Sequence, residues 1–384
     1  MKYRKFGNAT GDVSILGLDL ARLPRATKIE LDATAALVRS TLSSGVNYLD
    51  LGSPDSGAYD RDLQTLLSAS LSNGHRERTL LVAHLPVTAI HSGDDFNELL
   101  ARLLASLQLT AIDCLVIDGL NRDSWPTLRN SGALMLAETA RNSVRIGRLG
   151  FAYRDQYHYL RLLLEDYAGW DFAQFQYSYL DVDRNPGVTG IRRVHELGMG
   201  VVVTDPLRGG LLNKTPPAEI AAVWAGSGYD RTLSDWGLRW VWNHPEVTTV
   251  VYDLREADDI RGAVQLASKA EANSLGVREQ MLINQVRDAY RKLRPVPCTT
   301  CRTCMPCPQD INVPRILELY NDAVMFNDFD TIKEIYKREQ HSLEACDECG
   351  SCVQSCGRMI AILEWLRKAD ALLGANEQDR ANSS

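Results

Sequence analysis

Eight of the nine cysteines lie between Cys298 and Cys356. They form two runs, Cys298-x₂-Cys301-x₂-Cys304-x₂-Cys307-Pro308 and Cys346-x₂-Cys349-x₂-Cys352-x₃-Cys356. Three thiolates at x₂ spacing curl around one face of an iron–sulfur cubane, and the fourth thiol of each run points away to serve the other cluster. That pairing predicts two [4Fe–4S] clusters, one on Cys298, Cys301, Cys304 and Cys356, the other on Cys346, Cys349, Cys352 and Cys307. Pro308 fits the motif, whereas Gly357 stands where the second run would carry its proline. Two structural Cys₄ zinc sites are the competing arrangement. Three successive x₂ spacings in one run are the pattern of clusters rather than of zinc. The ninth thiol, Cys114, opens an apolar run and reads as core.

A second set of reactive side chains lies at the ends of apolar runs. In "TLLVAHLPV" (79–87) His84 interrupts the apolar series just before Pro86. Alone it could be a core histidine with a satisfied hydrogen bond. Yet Asp19, Asp50 and Asp118 close the neighbouring runs "VSILGL", "VNYLDL" and "CLVIDG" in the same way. A histidine among carboxylates suits acid–base work, because nearby negative charge favours the imidazolium. It also suits a hard-metal site in the pocket.

The elements that must carry these residues follow from the hydropathy pattern. Eight apolar runs, the four above with "RIGRLGF", "DFAQFQYS", "GVVVTD" and "TTVVYD", alternate with longer amphipathic stretches. Each run is continuously apolar, as in strands covered on both faces. Eight such strands alternating with helices predict a (β/α)₈ TIM barrel over residues 1–294, with catalytic groups at its C-terminal rim. A small α-helical ferredoxin-like domain is expected over 295–372. It would be followed by a polar, disordered tail at 373–384. A formal net charge of −7 leaves no basic footprint for nucleic acid. No apolar stretch reaches the ~20 residues of a membrane span, and the N-terminus lacks a signal peptide. Clustered free thiols then point to a cytoplasmic, metal-binding protein.

Several stretches together resemble the aldo/keto reductase family, in the form that carries a C-terminal ferredoxin domain. They are the opening "MKYRKFGNATGDVSILGLDLARLP", then "GVNYLD", "DPLRGGLL", "LRWVWNHPEVTTVV" and "CTTCRTCMPCPQDINVPRILELYN". The resemblance implies NADPH-dependent carbonyl reduction by a Tyr acid, a Lys that tunes it, an Asp that holds the Lys and a His that orients the carbonyl. Asp50 matches the Asp, and Tyr59 is the candidate for the Tyr. His84 stands at the Lys position and Asp118 at the His position. Asp19 replaces the usual glycine of the first strand. Among the residues expected to hold the nicotinamide, Gln174 or Gln176 is kept, Ser178 stands for the Asn and Ala152 for the Ser. The position next to Ala152, expected to be His, is Arg154. Arg208 in "PLRGG" is a candidate for an anionic group of the cofactor. The phosphate segment reads "YDLREADDIRGA", without its Glu-Asn pair.

The scaffold of the family is therefore kept while the reaction centre is altered, either by decay or by replacement with the Asp19, Asp50, His84 and Asp118 set. The expected activity is an iron–sulfur oxidoreductase acting on a small carbonyl or hydroxyl compound, with NADP(H) hydride transfer in doubt. A redox partner protein would dock at the ferredoxin domain. A redox-neutral lyase or isomerase using the Asp/His set, and a non-catalytic electron-transfer subunit, are the alternatives. Anaerobically purified protein should contain about eight irons per chain and absorb broadly in the visible. A colourless preparation with stoichiometric zinc would overturn the cluster assignment.

Overall fold

The computed structural model describes residues 1–8, 11–21, 28–54, 57–253 and 257–374. The tail from residue 375 and the middle of "YDLREADDIRGA" lie outside the described residues. The chain divides into two compact units. The first comprises Met1–Leu212 and Arg231–Gly276. The second comprises Asn213–Asp230 and the chain from Val277 onward, so the junction expected near residue 294 falls within it.

The first unit is a closed barrel of eight parallel strands. They are β3 (Leu16–Asp19), β4 (Tyr48–Asp50), β5 (Leu80–Pro86), β6 (Ile112–Leu120), β7 (Ile146–Tyr153), β8 (Phe172–Gln176), β9 (Gly200–Thr204) and β10 (Thr249–Asp253). Every expected apolar run supplies one of them. The first run is divided, however. An antiparallel hairpin of β1 (Tyr3–Lys5) and β2 (Asp12–Ser14) takes its first half, and β3 takes the rest. The break falls at Ile15, whose carbonyl accepts from Val250 N at 2.9 Å and Trp242 Nε1 at 2.8 Å. Arg4 on β1 anchors the hairpin by donating to the carbonyls of Trp242, at 2.7 Å, and His244, at 2.9 Å.

Side chains alternate across a strand, so each strand sends every second residue inward. Tyr48, Val82, Cys114, Val116, Phe172, Val202 and Val251 meet in one buried cluster with Phe6 from the hairpin region. The barrel is a packed core rather than a pore. Large rings fit because glycines stand opposite them. A Cβ on Gly17 would lie 2.8 Å from Tyr48 Cδ1, one on Gly150 2.5 Å from Phe172 Cζ, and one on Gly200 2.4 Å from Phe6 Cδ2. Phe6 packs on Phe172 with ring centroids 5.1 Å apart, and Arg148 stacks over it at 5.2 Å.

The second unit is helical, with helices Ala218–Ala225, Val277–Lys292, Val313–Phe326, Phe329–Arg338 and Ile362–Leu373. The 313–326 helix is buried almost all round, including its polar residues Glu318, Asn321 and Asp322. A buried polar group must find partners. Asn321 finds both in one residue, accepting from Val296 N and donating to Val296 O at 2.9 Å each. That clamp fixes the main chain two residues before Cys298. Arg315 binds Glu318 at 2.8 Å and Glu339 at 2.7 Å.

Replacing Gly150 by Ala should overpack the barrel and cost about 1–3 kcal/mol. The thermal midpoint would fall by several degrees. Gly262→Ala, on the helix Ala257–Lys269 with open space at its Cβ, should be neutral or slightly stabilising. Equal midpoints for the two variants would refute the ring-against-glycine packing.

Candidate functional site

The inward series on each strand ends at the C-terminal rim. On β4 it runs Tyr48, Asp50; on β5 Leu80, Val82, His84; on β6 Cys114, Val116, Asp118; on β8 Phe172, Gln174, Gln176. Asp50 pairs in register with Val82, and His84 with Val116. Each polar residue therefore sits two positions beyond the partner of the one before it. Barrel strands tilt against the axis, and this stagger brings Asp50, His84 and Asp118 together. β6 loses regular register against β7 between Ile117 and Leu120, and Gly119 there takes φ +87°. Asp118 keeps the inward alternation of β6 and stands in register with Pro86 of β5.

His84 is 5% exposed. Its Nε2 lies 2.8 Å from Asp50 Oδ1 and its Nδ1 3.6 Å from Asp118 Oδ2. These are ion-pair contacts; neither ring nitrogen has an aligned hydrogen bond. Burial by itself pushes the imidazole pKa down. The Asp50 and Asp118 carboxylates more than reverse this, and the His84 pKa is pushed up to about 10. Burial acts to raise the Asp118 pKa, but His84, the Gly119 N–H and the Ser53 hydroxyl hold it below the usual carboxylate range. Asp118 is also the open member, with 34% of its side chain exposed against 5% for Asp50.

Asp50 is held on three sides. Gly52 N donates to Oδ1 at 2.9 Å, His84 faces the same oxygen, and Gln174 Nε2 donates to Oδ2 at 2.7 Å. Gln174 Nε2 also donates to Tyr48 OH at 3.3 Å. Burial first, and then the neighbouring Asp50, raise the Tyr48 pKa well above its ordinary value. Tyr48 was not a sequence candidate. Its position two residues before Asp50, on the same face of β4, is the signal that marks it.

The other sequence candidates are placed as follows. Tyr59 reaches the site, but its hydroxyl donates to Gly52 O at 2.6 Å and accepts from His84 N at 3.1 Å. It holds the main chain that carries His84. Asp19 is level with Asp50 in register, and its Oδ1 accepts from Ala21 N at 2.7 Å. Ser178 and Arg208 form a separate group. Ser178 Oγ donates to Asp181 at 2.6 Å, and Arg208 pairs with the other oxygen of that carboxylate. Gln176 donates to Asp205 at 2.7 Å. The polar groups expected around a nicotinamide amide are thus turned to internal partners, and Ala152 offers no donor. The side chains present do not fit that role.

In the second unit, Cys307 from the first run lines one cavity with Cys346, Cys349 and Cys352 from the second, and Cys304 borders it. Gln309 Nε2 joins the runs by donating to Asp347 Oδ2 at 3.1 Å. Burial, then the neighbouring Cys298 and Cys301, push the Cys304 thiol up to about 12. Burial raises Cys352 as well, with Cys307 and Cys346 adding to it. Crowded thiols that resist ionisation are relieved by cationic iron. Among the described residues no three His, Cys, Asp or Glu side chains converge tightly enough for one metal ion. A cubane asks something different, since each thiolate binds a separate iron, and this donor set fits it. Cys356 lies half-buried just beyond the short helix Ser351–Gln354.

The site's charge state has a defined pH signature. The His84 pKa is raised in the folded protein, so its stabilisation is complete below the unfolded value of about 6.5 and is lost as pH rises through about 10. Asp118 acts oppositely, with its contribution lost as pH falls below 3.8. Wild-type protein should therefore exceed His84→Gln in thermal midpoint by a margin that shrinks steadily between pH 6.5 and 10. A margin independent of pH over that range would show that His84 is not held as an imidazolium.

Residues 297–361 match the family described as the 4Fe-4S dicluster domain. No curated protein matches the sequence. Among solved structures, the holo form of aldo-keto reductase AKR11C1 from Bacillus halodurans is similar with a TM-score of 0.59 and 21% identity. The match covers 74% of this chain and 96% of that one. The apo form gives a TM-score of 0.56 at the same identity and coverage. Among the described residues no helix is long and apolar enough to cross a membrane. The chain thus joins a barrel of the aldo-keto reductase fold to a helical segment that matches the 4Fe-4S dicluster family.

Proposed function

We propose that the protein is an iron–sulfur oxidoreductase that acts on a small carbonyl or hydroxyl compound at the C-terminal rim of its barrel, with Asp118, His84 and Asp50 handling the proton. The observation that supports this most directly is the buried His84 held between two carboxylates, one of them open to the pocket. Two [4Fe–4S] clusters are assigned to the second unit. Cys346, Cys349, Cys352 and Cys307 would hold one, and Cys298, Cys301, Cys304 and Cys356 the other. When bound, such clusters supply single electrons.

The chain's own residues provide the rest. At neutral pH the imidazolium faces two carboxylates and the set carries one net negative charge. Asp118 is the member a substrate can touch. Asp118 takes the O–H proton of a bound hydroxyl, and the positive charge of His84 offsets the negative charge left on the oxygen; the two electrons and the C–H proton of the oxidation would pass to a one-electron acceptor and to solvent. In the reverse direction a proton moves from His84 through Asp118 to the developing alkoxide. Asp50, fixed by Gly52 N and Gln174, favours the charged ring, which regains its proton from solvent through Asp118. Tyr59 holds the His84 main chain. No step is drawn through a nicotinamide, because the groups that would hold its amide are engaged elsewhere.

The test is anaerobic turnover of a panel of small carbonyl and hydroxyl compounds, with a one-electron dye as donor or acceptor. His84→Ala should lower turnover by at least about a hundredfold and leave iron content unchanged. Full activity in that variant would remove His84 from the mechanism. Turnover that needs no electron donor or acceptor would favour a lyase or isomerase running on the same Asp/His set.

A further inference from the structure

β4 and β8 stand four places apart in the closed order of eight strands, on opposite walls of the barrel. Yet Gln174 on β8 meets Asp50 and Tyr48 on β4. The Gln174 side chain therefore spans the lumen. It is 3% exposed and surrounded by a packed interior. A glutamine amide nitrogen has two hydrogens. One points to Asp50 Oδ2 at 2.7 Å and the other to Tyr48 OH at 3.3 Å. The donor capacity of the amide is spent inside the barrel.

We infer that Gln174 is a positioning residue of the proton-handling set, reaching across the barrel to orient the Asp50 carboxylate toward His84. The inference deepens the proposed function and rests on that reading for its catalytic meaning. A carboxylate buried like Asp50 needs donors in place of water. Its donors are Gly52 N and Gln174, with His84 as its ion-pair partner. Gly52 N and His84 share Oδ1, so Gln174 alone among them serves Oδ2. Without it Oδ2 loses this donor and the carboxylate is free to rotate away from His84 Nε2, which weakens the ion pair that holds the ring proton. The titratable groups around the pair are Tyr48 on β4, Tyr59 after it, Asp19 on β3, and Cys114 and Asp118 on β6. None of these side chains carries an N–H.

The experiment reads His84 directly, by ¹⁵N NMR of histidine-labelled holoprotein, with the signal assigned by its loss in His84→Gln. Wild-type protein should show an imidazolium at pH 8. In Gln174→Met, which keeps length and removes the donor, the proton affinity of the ring should fall about tenfold to a hundredfold, with iron content unchanged. Gln174→Asn, too short to cross the lumen, should behave like the Met variant, and it serves if the Met variant fails to fold. NADPH fluorescence titrations should be the same for wild type and both variants. An unchanged His84 titration in a folded variant would overturn the inference. So would a tenfold loss of NADPH binding with the His84 titration intact, which would make Gln174 an amide-holding residue. The readout needs no turnover, so an inactive wild type would count against the proposed function and leave this inference standing.

Discussion

A buried charge has to be compensated where it stands, and the rim of this barrel is arranged around one such charge. Asp50 is almost without solvent, and three groups stand around it: the donor Gly52 N, the His84 ring as ion-pair partner and the donor amide of Gln174. Each comes from a different part of the barrel: the turn after β4, the adjacent strand β5, and the opposite wall. The closed sheet makes this possible. Its inward alternation sets which residues face the lumen, and its stagger sets which of them meet. The same carboxylate, with Asp118, then dictates the state of His84, because two negative neighbours outweigh burial. Tyr59, which the resemblance marks as an acid, is drawn into holding the main chain beneath that ring.

Much of this was legible in the sequence. The eight apolar runs became eight barrel strands, because continuous apolar runs between amphipathic stretches have few other ways to be covered on both faces. His84 and the three aspartates were visible as polar residues closing those runs. The cysteine spacing carried the iron–sulfur reading, and the dicluster match covers the same residues. What was not legible depends on contacts between distant strands. The division of the first run at Ile15 depends on Trp242 and Val250, more than two hundred residues away. Gln174 was legible only through resemblance, as a residue for a nicotinamide; its partner on the opposite wall is set by barrel closure. Tyr48, which was no candidate, is core with a hydroxyl that meets Gln174 at the site. That Asp118 meets His84 follows from the pairing of β5 with β6, which no local pattern announces.

The second unit shows the same economy in a different setting. The 313–326 helix is polar in places that a sequence reader would assign to the surface, yet these residues are buried. Asn321 explains one of them, since both ends of its amide are satisfied by a single main-chain residue just ahead of the first cysteine run. A loop without regular structure needs such external fixing if its thiols are to be presented together. Gln309 does the equivalent between the two runs.

The packed lumen has a consequence for kinetics. Phe6, Tyr48 and Phe172 fill the barrel below His84, so among the described residues the ring meets the outside chiefly through Asp118. Protons cannot percolate from the far end. Exchange of the ring proton with solvent then runs past Asp118 at the end of β6, where Gly119 takes φ +87°. The charge of the site is set at Asp50 and its donors, whereas its access to water is set on another strand.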